Sequence, residues 1–282
     1  MAVLSIQSSV AYGHVGNAAA VFCLRRAGVD VWPVDTVAYS NHPGYGAYGG
    51  RVRGADEVAE VVDGLNAIGV LSRCRAVLTG YLGDAAAAAA VLRAVATAKT
   101  ANKDAFFCCD PVMGDREGGR YVTDEVAHAV CDTLVPAADV LVPNHFELET
   151  LAGRPLATLA DTVAAADQLR ASGPGTVVVT SLETEGTTDG EIANLLVTGD
   201  GAWMVVTPRL PLRAKGAGDA LAALLVAGLI NGQPPVAALE RAVSSVLAVI
   251  EATVTAGDRE LRLIAAQDAL VAPPRLFPAQ AV

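Results

Sequence analysis

The residues with the clearest potential for chemistry form a glycine-rich turn at 213–219, Arg-Ala-Lys-Gly-Ala-Gly-Asp, which leads into an unusually apolar stretch. Glycines permit a sharp turn, and the N–H groups of Gly216, Ala217 and Gly218 at a helix start would form a phosphate-binding nest. Asp219 beside that nest would accept the proton of a hydroxyl that attacks a phosphoryl group. Helix capping explains the same residues without any chemistry, and this motif alone favours capping.

Further polar side chains follow the predicted strands at the points where the strands end. Ligands of a doubly wound sheet bind outside the carboxyl ends of its strands, so these side chains would share one rim. They are Ser8, Tyr39, His42, Tyr81, Asp110, Asn144, Glu147, Thr180 and Ser181. The carboxylates of Asp110, Glu147 and Asp219, on separate loops, suit a hydrated magnesium ion and a general base. Each residue has an ordinary explanation as a cap, a turn or a packing residue, and their joint position favours a site.

Alternating strand and helix patterns must position these residues. Continuous apolar runs predict strands at 2–6, 29–37, 75–80, 105–110, 139–144 and 175–181. Helical patterns occur at 15–26, 56–69, 84–99, 124–135, 159–172, 218–231, 235–251 and 258–270, and a short helix is predicted to start near His145. Strands without polar alternation belong to a parallel sheet that helices cover on both faces. The predicted fold is therefore α/β, a doubly wound, mostly parallel sheet flanked by helices.

The stretch 190–207 breaks this alternation, because two strand-like runs flank the turn sequence Thr-Gly-Asp-Gly. It predicts a hairpin that adds an antiparallel edge to the sheet. The proline-rich end, 272–282, is expected to lie over the surface. Neither an internal repeat nor a long linker interrupts the sequence, which predicts a single domain over 1–282.

Composition argues against several classes of function. The 282 residues are 52% hydrophobic with a formal net charge of -10, which disfavours nonspecific binding to nucleic acid or to anionic membranes. An anionic substrate must therefore be held by local dipoles and a few placed cations. Five cysteines without metal-site spacing predict reduced thiols in a cytoplasmic protein. The beginning of the sequence has no leader pattern, and the longest apolar run is too short to cross a bilayer.

Six segments together resemble the motifs of the pyridoxal kinases, in the ribokinase-like superfamily. They are SIQSSVAYGHVGNAAAVF, WPVDTVAYSNHPGYG, LTGYLG, CCDPVMGD, VPNHFELE and KGAGDALAALL, in order along nearly the whole chain. The turn before Asp219 is shared by the whole superfamily. The start, IQS followed by GHVGN, and the SNHPGYG loop are specific to the pyridoxal kinases.

The resemblance implies transfer of the γ-phosphate of ATP to the 5′-hydroxyl of pyridoxal, pyridoxine or pyridoxamine. It further implies Mg²⁺ or a similar divalent metal, often a potassium ion, and a homodimer. Asp219 would be the base, and the Gly216–Ala217–Gly218 amides would form the anion hole. Ser8 would hydrogen-bond the pyridine ring in a pocket formed with Val15, Tyr39, His42 and Tyr81. The magnesium and phosphate end would comprise Asp110 and Glu147, joined by Asp115, Tyr121, Asn144, Thr180 and Ser181. A glycine-rich loop at 44–54 would close over the substrate.

The chain departs from the family pattern at four positions. Pro43 and Ala217 stand where threonine is common, and Val142 replaces a threonine that often lies near the nucleotide. Lys215 takes the place of an apolar residue, and we assign it with Arg213 to the ATP side, although a solvated lysine is the plainer interpretation. These changes bear on vitamer preference and rate more than on reaction class. Two alternatives stay open: a related kinase of a hydroxymethylpyrimidine or a sugar, and a vitamin-binding protein without catalysis.

Overall fold

A ten-stranded sheet forms the centre of this computed structural model, which describes residues 1–184, 188, 190–212 and 215–282. The strands of the described chain are β1 (Ala2–Val10), β2 (Asp30–Tyr39), β3 (Gly50–Val52), β4 (Cys74–Thr79), β5 (Phe106–Cys109), β6 (Gly114–Asp115), β7 (Gly119–Arg120), β8 (Val140–Leu141), β9 (Thr176–Leu182), β10 (Glu191–Thr198), β11 (Gly201–Pro208) and β12 (Gln280–Ala281). The short strands β6 and β7 pair with each other outside the main sheet.

The order across the main sheet is β12-β11-β10-β9-β8-β5-β4-β1-β2-β3. The inner neighbours from β2 to β9 are parallel, which confirms the predicted parallel sheet. The predicted hairpin is also confirmed, since β10 and β11 pair antiparallel along their whole length, from Glu191 opposite Pro208 to Thr198 opposite Gly201. Two additional edge strands, β3 and β12, lie in segments that the sequence predicted as a loop and as surface coil.

Helices cover both faces of this sheet. They are α1 (Asn17–Arg26), α2 (Ala55–Ala67), α3 (Ala87–Ala101), α4 (Asp124–Ala129), α5 (His145–Ala152), α6 (Leu159–Ser172), α7 (Ala217–Ile230) and α8 (Pro235–Ala256). Helices α1, α7 and α8 share one hydrophobic core, and α2, α3, α4 and α6 share the other. Successive strand residues alternate between the two cores: Leu4 lies in one and Val3 in the other. Burial on both faces explains why the strands lack polar alternation.

The predicted helix at 258–270 is wrong. In this segment Leu261 and Leu263 are buried, whereas Arg262 and Ile264 are exposed. Burial of every second residue is the period of extended chain rather than of a helix. Successive turns follow over 263–271. The predicted helix at 124–135 is also shorter, because α4 ends at Ala129 and a wider π-type turn continues to Leu134.

Strands β1 and β12, near the two ends of the described chain, belong to the same sheet, and the single domain over 1–282 stays a prediction. Within the described residues, no helix combines the length and the apolar character needed to cross a membrane.

Candidate active site

The glycine-rich turn packs directly against the loop that joins β1 to α1. Gly216 has φ 89, and a side chain there would overlap the carbonyl oxygen of His14. Gly16 has φ 55, and a side chain there would overlap both the backbone and the hydroxyl of Ser8. Glycine is required at both positions by the close approach and by the positive φ. The two glycines therefore bring the turn before Asp219 next to Ser8, which follows from no feature of either segment alone.

Asp219 lies in the first turn of α7, and its carboxylate accepts hydrogen bonds from the N–H of Gly16 and from its own N–H. Burial raises the pKa of Asp219, while those two N–H groups lower it, and the net direction is upward. The N-cap position belongs to Gly216, which has no side chain to cap the helix. Capping therefore explains only one of the two hydrogen bonds, because Gly16 belongs to a different loop. A carboxylate held in this way can accept a proton from a hydroxyl placed near Ser8.

Glu147 is held by three backbone N–H groups. Its side chain accepts hydrogen bonds from Met113 at 2.9 Å, from Gly114 at 3.4 Å and from Asn144 at 2.8 Å. The Asn144 side chain in turn accepts from the N–H of Glu147 at 2.9 Å, which completes a capping box at the start of α5. Burial raises the pKa of Glu147 to about 7, against the opposing effect of these N–H groups.

Asp110 follows β5 and lies near both other acids. Burial, followed by the charges of Glu147 and Asp219, raises the pKa of Asp110 well above its usual range. Two acids that raise the pKa of a third create a local demand for positive charge. In the described residues, no three metal-binding side chains converge closely enough to coordinate an ion directly. Carboxylates that do not form a complete ligand set by themselves still suit Mg²⁺, which keeps several waters and is bound by one or two carboxylates together with substrate phosphates.

Lys215 joins two of the residues assigned to the ATP side. Its ammonium lies 2.7 Å from Asp115 Oδ2 and donates to the Tyr121 hydroxyl at 2.9 Å, and it lies 4.9 Å from the centre of the Tyr121 ring. Burial raises the pKa of Asp115, but the hydrogen bonds from Lys215 and from the Gly118 N–H together lower it by more, so the net shift of this pKa is downward. The β6–β7 hairpin, which carries Asp115, is thereby tied to the glycine-rich turn. Arg213 lies outside the described residues.

A cavity of about 580 Å³ adjoins the turn. Thr180, Ser181, Ala217 and Gly218, all predicted site residues, line one side of it. Ser181 has φ 52, a strained conformation for a residue other than glycine, and it is exposed at the cavity while Thr180 is buried. The remaining wall contains residues that the sequence analysis missed, among them Ile192, Asn194, Thr207, Leu221, Val243, Val246 and Ile250.

One signal for this missed wall was present in the sequence. Asn194 is a polar residue in the otherwise apolar run of β10, and it is 6% exposed. A lone polar side chain in a buried strand indicates either an internal partner or a ligand. The apolar wall from α7 and α8 gave no such signal, because lining residues and core residues have the same types.

Aromatic side chains gather at the other end of the rim. The rings of Tyr39 and Tyr48 are 4.8 Å apart, as are those of His42 and Tyr45. Burial first, and then the neighbouring Tyr81 and Tyr48 hydroxyls, raise the pKa of Tyr39. In this aromatic region the predicted pocket residues Tyr39 and Tyr81 lie with Tyr48, and His42 lies with Tyr45.

Three further predicted site residues differ in their exposure. Pro43 is exposed and begins a short 3-10 turn that ends at Tyr45. Val15 is partly buried in the loop before α1. Val142 is 3% exposed and packs in the core beside α7, so its side chain offers little surface to a nucleotide. The role of each predicted site residue stays a prediction.

A glycine-rich helix start, a partly buried acid beside it and an adjoining cavity, all at the carboxyl edge of a parallel sheet, are features of a small-molecule kinase of the ribokinase-like fold. Residues 57–263 match the family model described as phosphomethylpyrimidine kinase. The chain is 51% identical over 281 residues to "Pyridoxal kinase PdxY" of Rubrobacter xylanophilus, covering 99% of this chain and 97% of that protein. It is 46% identical over 277 residues to "Pyridoxal kinase PdxY" of Leifsonia xyli, covering 98% of each.

Among solved structures, the chain is similar to the pyridoxal kinase from Leishmania donovani in complex with ADP and pyridoxamine. The TM-score is 0.93 at 34% sequence identity, and the match covers 99% of both chains. The chain belongs to the pyridoxal kinase family. Both the resemblance seen in the sequence motifs and the predicted fold class are confirmed.

Proposed function

We propose that this kinase transfers the γ-phosphate of ATP to the 5′-hydroxyl of pyridoxal and related B6 vitamers. The observation that carries the proposal is the placement of Asp219, which accepts the Gly16 N–H beside Ser8 and stands at the phosphate-binding turn. The same turn opens into the cavity of about 580 Å³. One carboxylate is thus adjacent to both expected ligands, as an in-line transfer requires.

The nucleotide occupies the cavity between the β10–β11 hairpin and helices α7 and α8. Its phosphates lie on the N–H groups of Gly216, Ala217 and Gly218, where the positive end of the α7 dipole stabilises negative charge. Lys215 lies at the same turn and supplies a placed cation, which an acidic protein needs to hold an anion.

The vitamer occupies the aromatic region, with its ring beside Ser8, Val15, Tyr39, His42 and Tyr81. Tyrosine and histidine rings suit a flat heteroaromatic ring better than a sugar. Asp219 takes the proton of the 5′-hydroxyl as that oxygen attacks the γ-phosphorus, and the bond to the β-phosphate oxygen breaks. ADP leaves with the former bridging oxygen.

The acids Asp110 and Glu147 would hold Mg²⁺ through water or phosphate oxygens. When bound, the ion neutralises charge on the phosphates. Burial raises the pKa of both carboxyl groups, and a divalent ion nearby would favour their ionised forms. Dependence on potassium, a homodimeric state and cytoplasmic location remain predictions, which rate measurements in potassium against sodium salts, sedimentation and cell fractionation would test.

The deciding experiment supplies ATP and Mg²⁺ with pyridoxal, pyridoxine, pyridoxamine, hydroxymethylpyrimidine and ribose in turn, and identifies each product by mass. We expect phosphorylated vitamers as the main products. The name of the matching family model favours one second candidate, a hydroxymethylpyrimidine kinase, and preferential phosphorylation of that substrate would replace the proposal. Vitamer binding without any turnover would indicate a binding protein.

A further inference from the structure

Glu260 is a buried carboxylate that lies far in sequence from the residues of the proposed active site. It belongs to the irregular segment after α8 and is 8% exposed. A glutamate is rarely buried without partners, because an unpaired charge is strongly disfavoured away from water. The partners of Glu260 lie on two other loops, both of which carry predicted vitamer-pocket residues.

The two carboxylate oxygens of Glu260 divide between these loops. Oε2 accepts the N–H of His14, at 3.1 Å, in the β1–α1 loop. Oε1 accepts the Tyr45 hydroxyl, at 2.6 Å, in the loop between β2 and β3, and lies 3.4 Å from His42 Nε2. The fit is close, because a side chain on Gly13, which has φ 97, would come within 2.5 Å of Oε2.

The loops held by Glu260 lead directly to the proposed site. The β1–α1 loop continues from His14 to Val15 and to Gly16, whose N–H donates to Asp219. The other loop carries His42, whose ring lies 4.8 Å from that of Tyr45. The Tyr45 hydroxyl is strongly engaged: its hydrogen bond to Glu260 is the main reason that its pKa is raised to about 12. The Arg259 guanidinium, 5.1 Å from the centre of the Tyr45 ring, adds a second contact from the same segment.

We propose that Glu260 is a positioning residue that fixes the β1–α1 loop and the His42–Tyr45 turn against each other in the arrangement that binds the vitamer. Its kinetic consequence rests on the proposed function. When only a fraction of the molecules have both loops in place, the apparent affinity for the vitamer is multiplied by that fraction and therefore falls. Among the described residues, neither loop contributes to the lining of the nucleotide cavity, so ATP binding should change little.

Three substitutions test this role. Glu260→Ala removes both acceptors. Glu260→Gln keeps both contacts in a changed form. The amide oxygen of the glutamine can accept the His14 N–H, and its amide nitrogen can donate to the Tyr45 hydroxyl once that hydroxyl rotates. Tyr45→Phe removes one contact only. Glu251→Gln serves as the matched control, since Glu251 lies on α8, is partly exposed and pairs with Arg275 at 3.3 Å.

We expect Glu260→Ala to raise the KM for pyridoxal roughly ten- to hundredfold, a range typical of losing hydrogen bonds to a charged group. The KM for ATP should stay within about threefold and kcat should fall much less than kcat/KM, the pattern of lost substrate binding. Tyr45→Phe should be intermediate, Glu260→Gln should lie nearest the parent protein, and Glu251→Gln should match it.

Hydrogen–deuterium exchange of the same variants gives a readout independent of turnover. Glu260→Ala should speed exchange in residues 11–16 and 41–46 and leave α7 unchanged. Unchanged exchange in both segments would overturn the proposal, as would equal increases in the two KM values with a lower melting temperature, which indicate a general structural role. If the parent protein phosphorylates no vitamer, the proposed function fails, and the exchange data still decide whether Glu260 holds the loops.

Discussion

Replacement of Asp219 by asparagine separates proton transfer from ligand binding. Asparagine has nearly the same shape, and its oxygen can still accept the Gly16 N–H that now contacts the carboxylate. No cavity results and the Gly16 contact is kept, so the turn and the adjoining Ser8 should stay in place. What is lost is the ability to take a proton, and a positioned general base contributes roughly 10²- to 10⁴-fold to a rate. We expect kcat to fall by that factor.

The same substitution has a predictable effect on stability, and its sign follows from the pKa shift. Burial raises the pKa of Asp219, so the folded protein binds this proton more tightly than the unfolded chain does. That contribution to stability is fully present below the unfolded pKa and is lost as the pH rises through the folded pKa. As the pH rises, the parent protein bears a growing desolvation penalty for the ionised carboxylate, which lies near Asp110. Asparagine bears none, so the melting temperature of D219N at pH 8, without metal, should be at least that of the parent.

The assay measures formation of phosphorylated pyridoxal at saturating ATP and Mg²⁺, with pyridoxal and nucleotide affinities obtained by calorimetry. Both affinities should stay within about threefold, because D219N removes an interaction of the transition state rather than of the bound substrates. The alanine variant should lose rate by a similar order. A kcat for D219N within about tenfold of the parent would refute the assignment of Asp219 as the base. A large fall in melting temperature would refute the account of its burial.

Four further predictions concern the rest of the site. Because the pKa of Asp219 is raised, kcat/KM should begin to fall with decreasing pH above the usual aspartate pKa of about 3.9. A kcat/KM that stays constant down to that pH would contradict the shift. Removing the cation with Lys215→Ala should raise the KM for ATP by about three- to tenfold and leave that for pyridoxal unchanged; equal effects on both would place Lys215 elsewhere. Filling the cavity with Val246→Phe should raise the KM for ATP roughly tenfold. Val254→Phe, on the same helix outside the cavity lining, is the control, and equal ATP affinities in the two variants would show that the nucleotide binds elsewhere. Ser8→Ala should raise the KM for the vitamer more than that for ATP, and an unchanged vitamer KM would remove Ser8 from the pocket.

Local patterns were sufficient for the central architecture. The apolar runs around β1, β4, β5 and β9 predicted buried strands because each strand is covered on both faces, and that environment selects apolar residues at every position. The turn sequence at 198–201 predicted the β10–β11 hairpin for an equally local reason. Prediction failed at 258–270, where Leu261 and Leu263 are apolar enough for a helix, but these buried leucines alternate with the exposed Arg262 and Ile264.

The sequence by itself determined which residue types stand at the ends of the strands, and hence which acids, hydroxyls and glycines are available for chemistry. It predicted the fold class and the site residues around Asp219, because the spacing of strands, turns and helix starts is a local property. Only the tertiary structure decided which of these residues meet. The hydrogen bond from Gly16 to Asp219, the reach of Glu260 to His14 and Tyr45, and the cavity walled by α7 and α8 join segments up to 246 residues apart. The raised pKa values depend on the same assembly, since burial and neighbouring charge arise only when distant segments pack together.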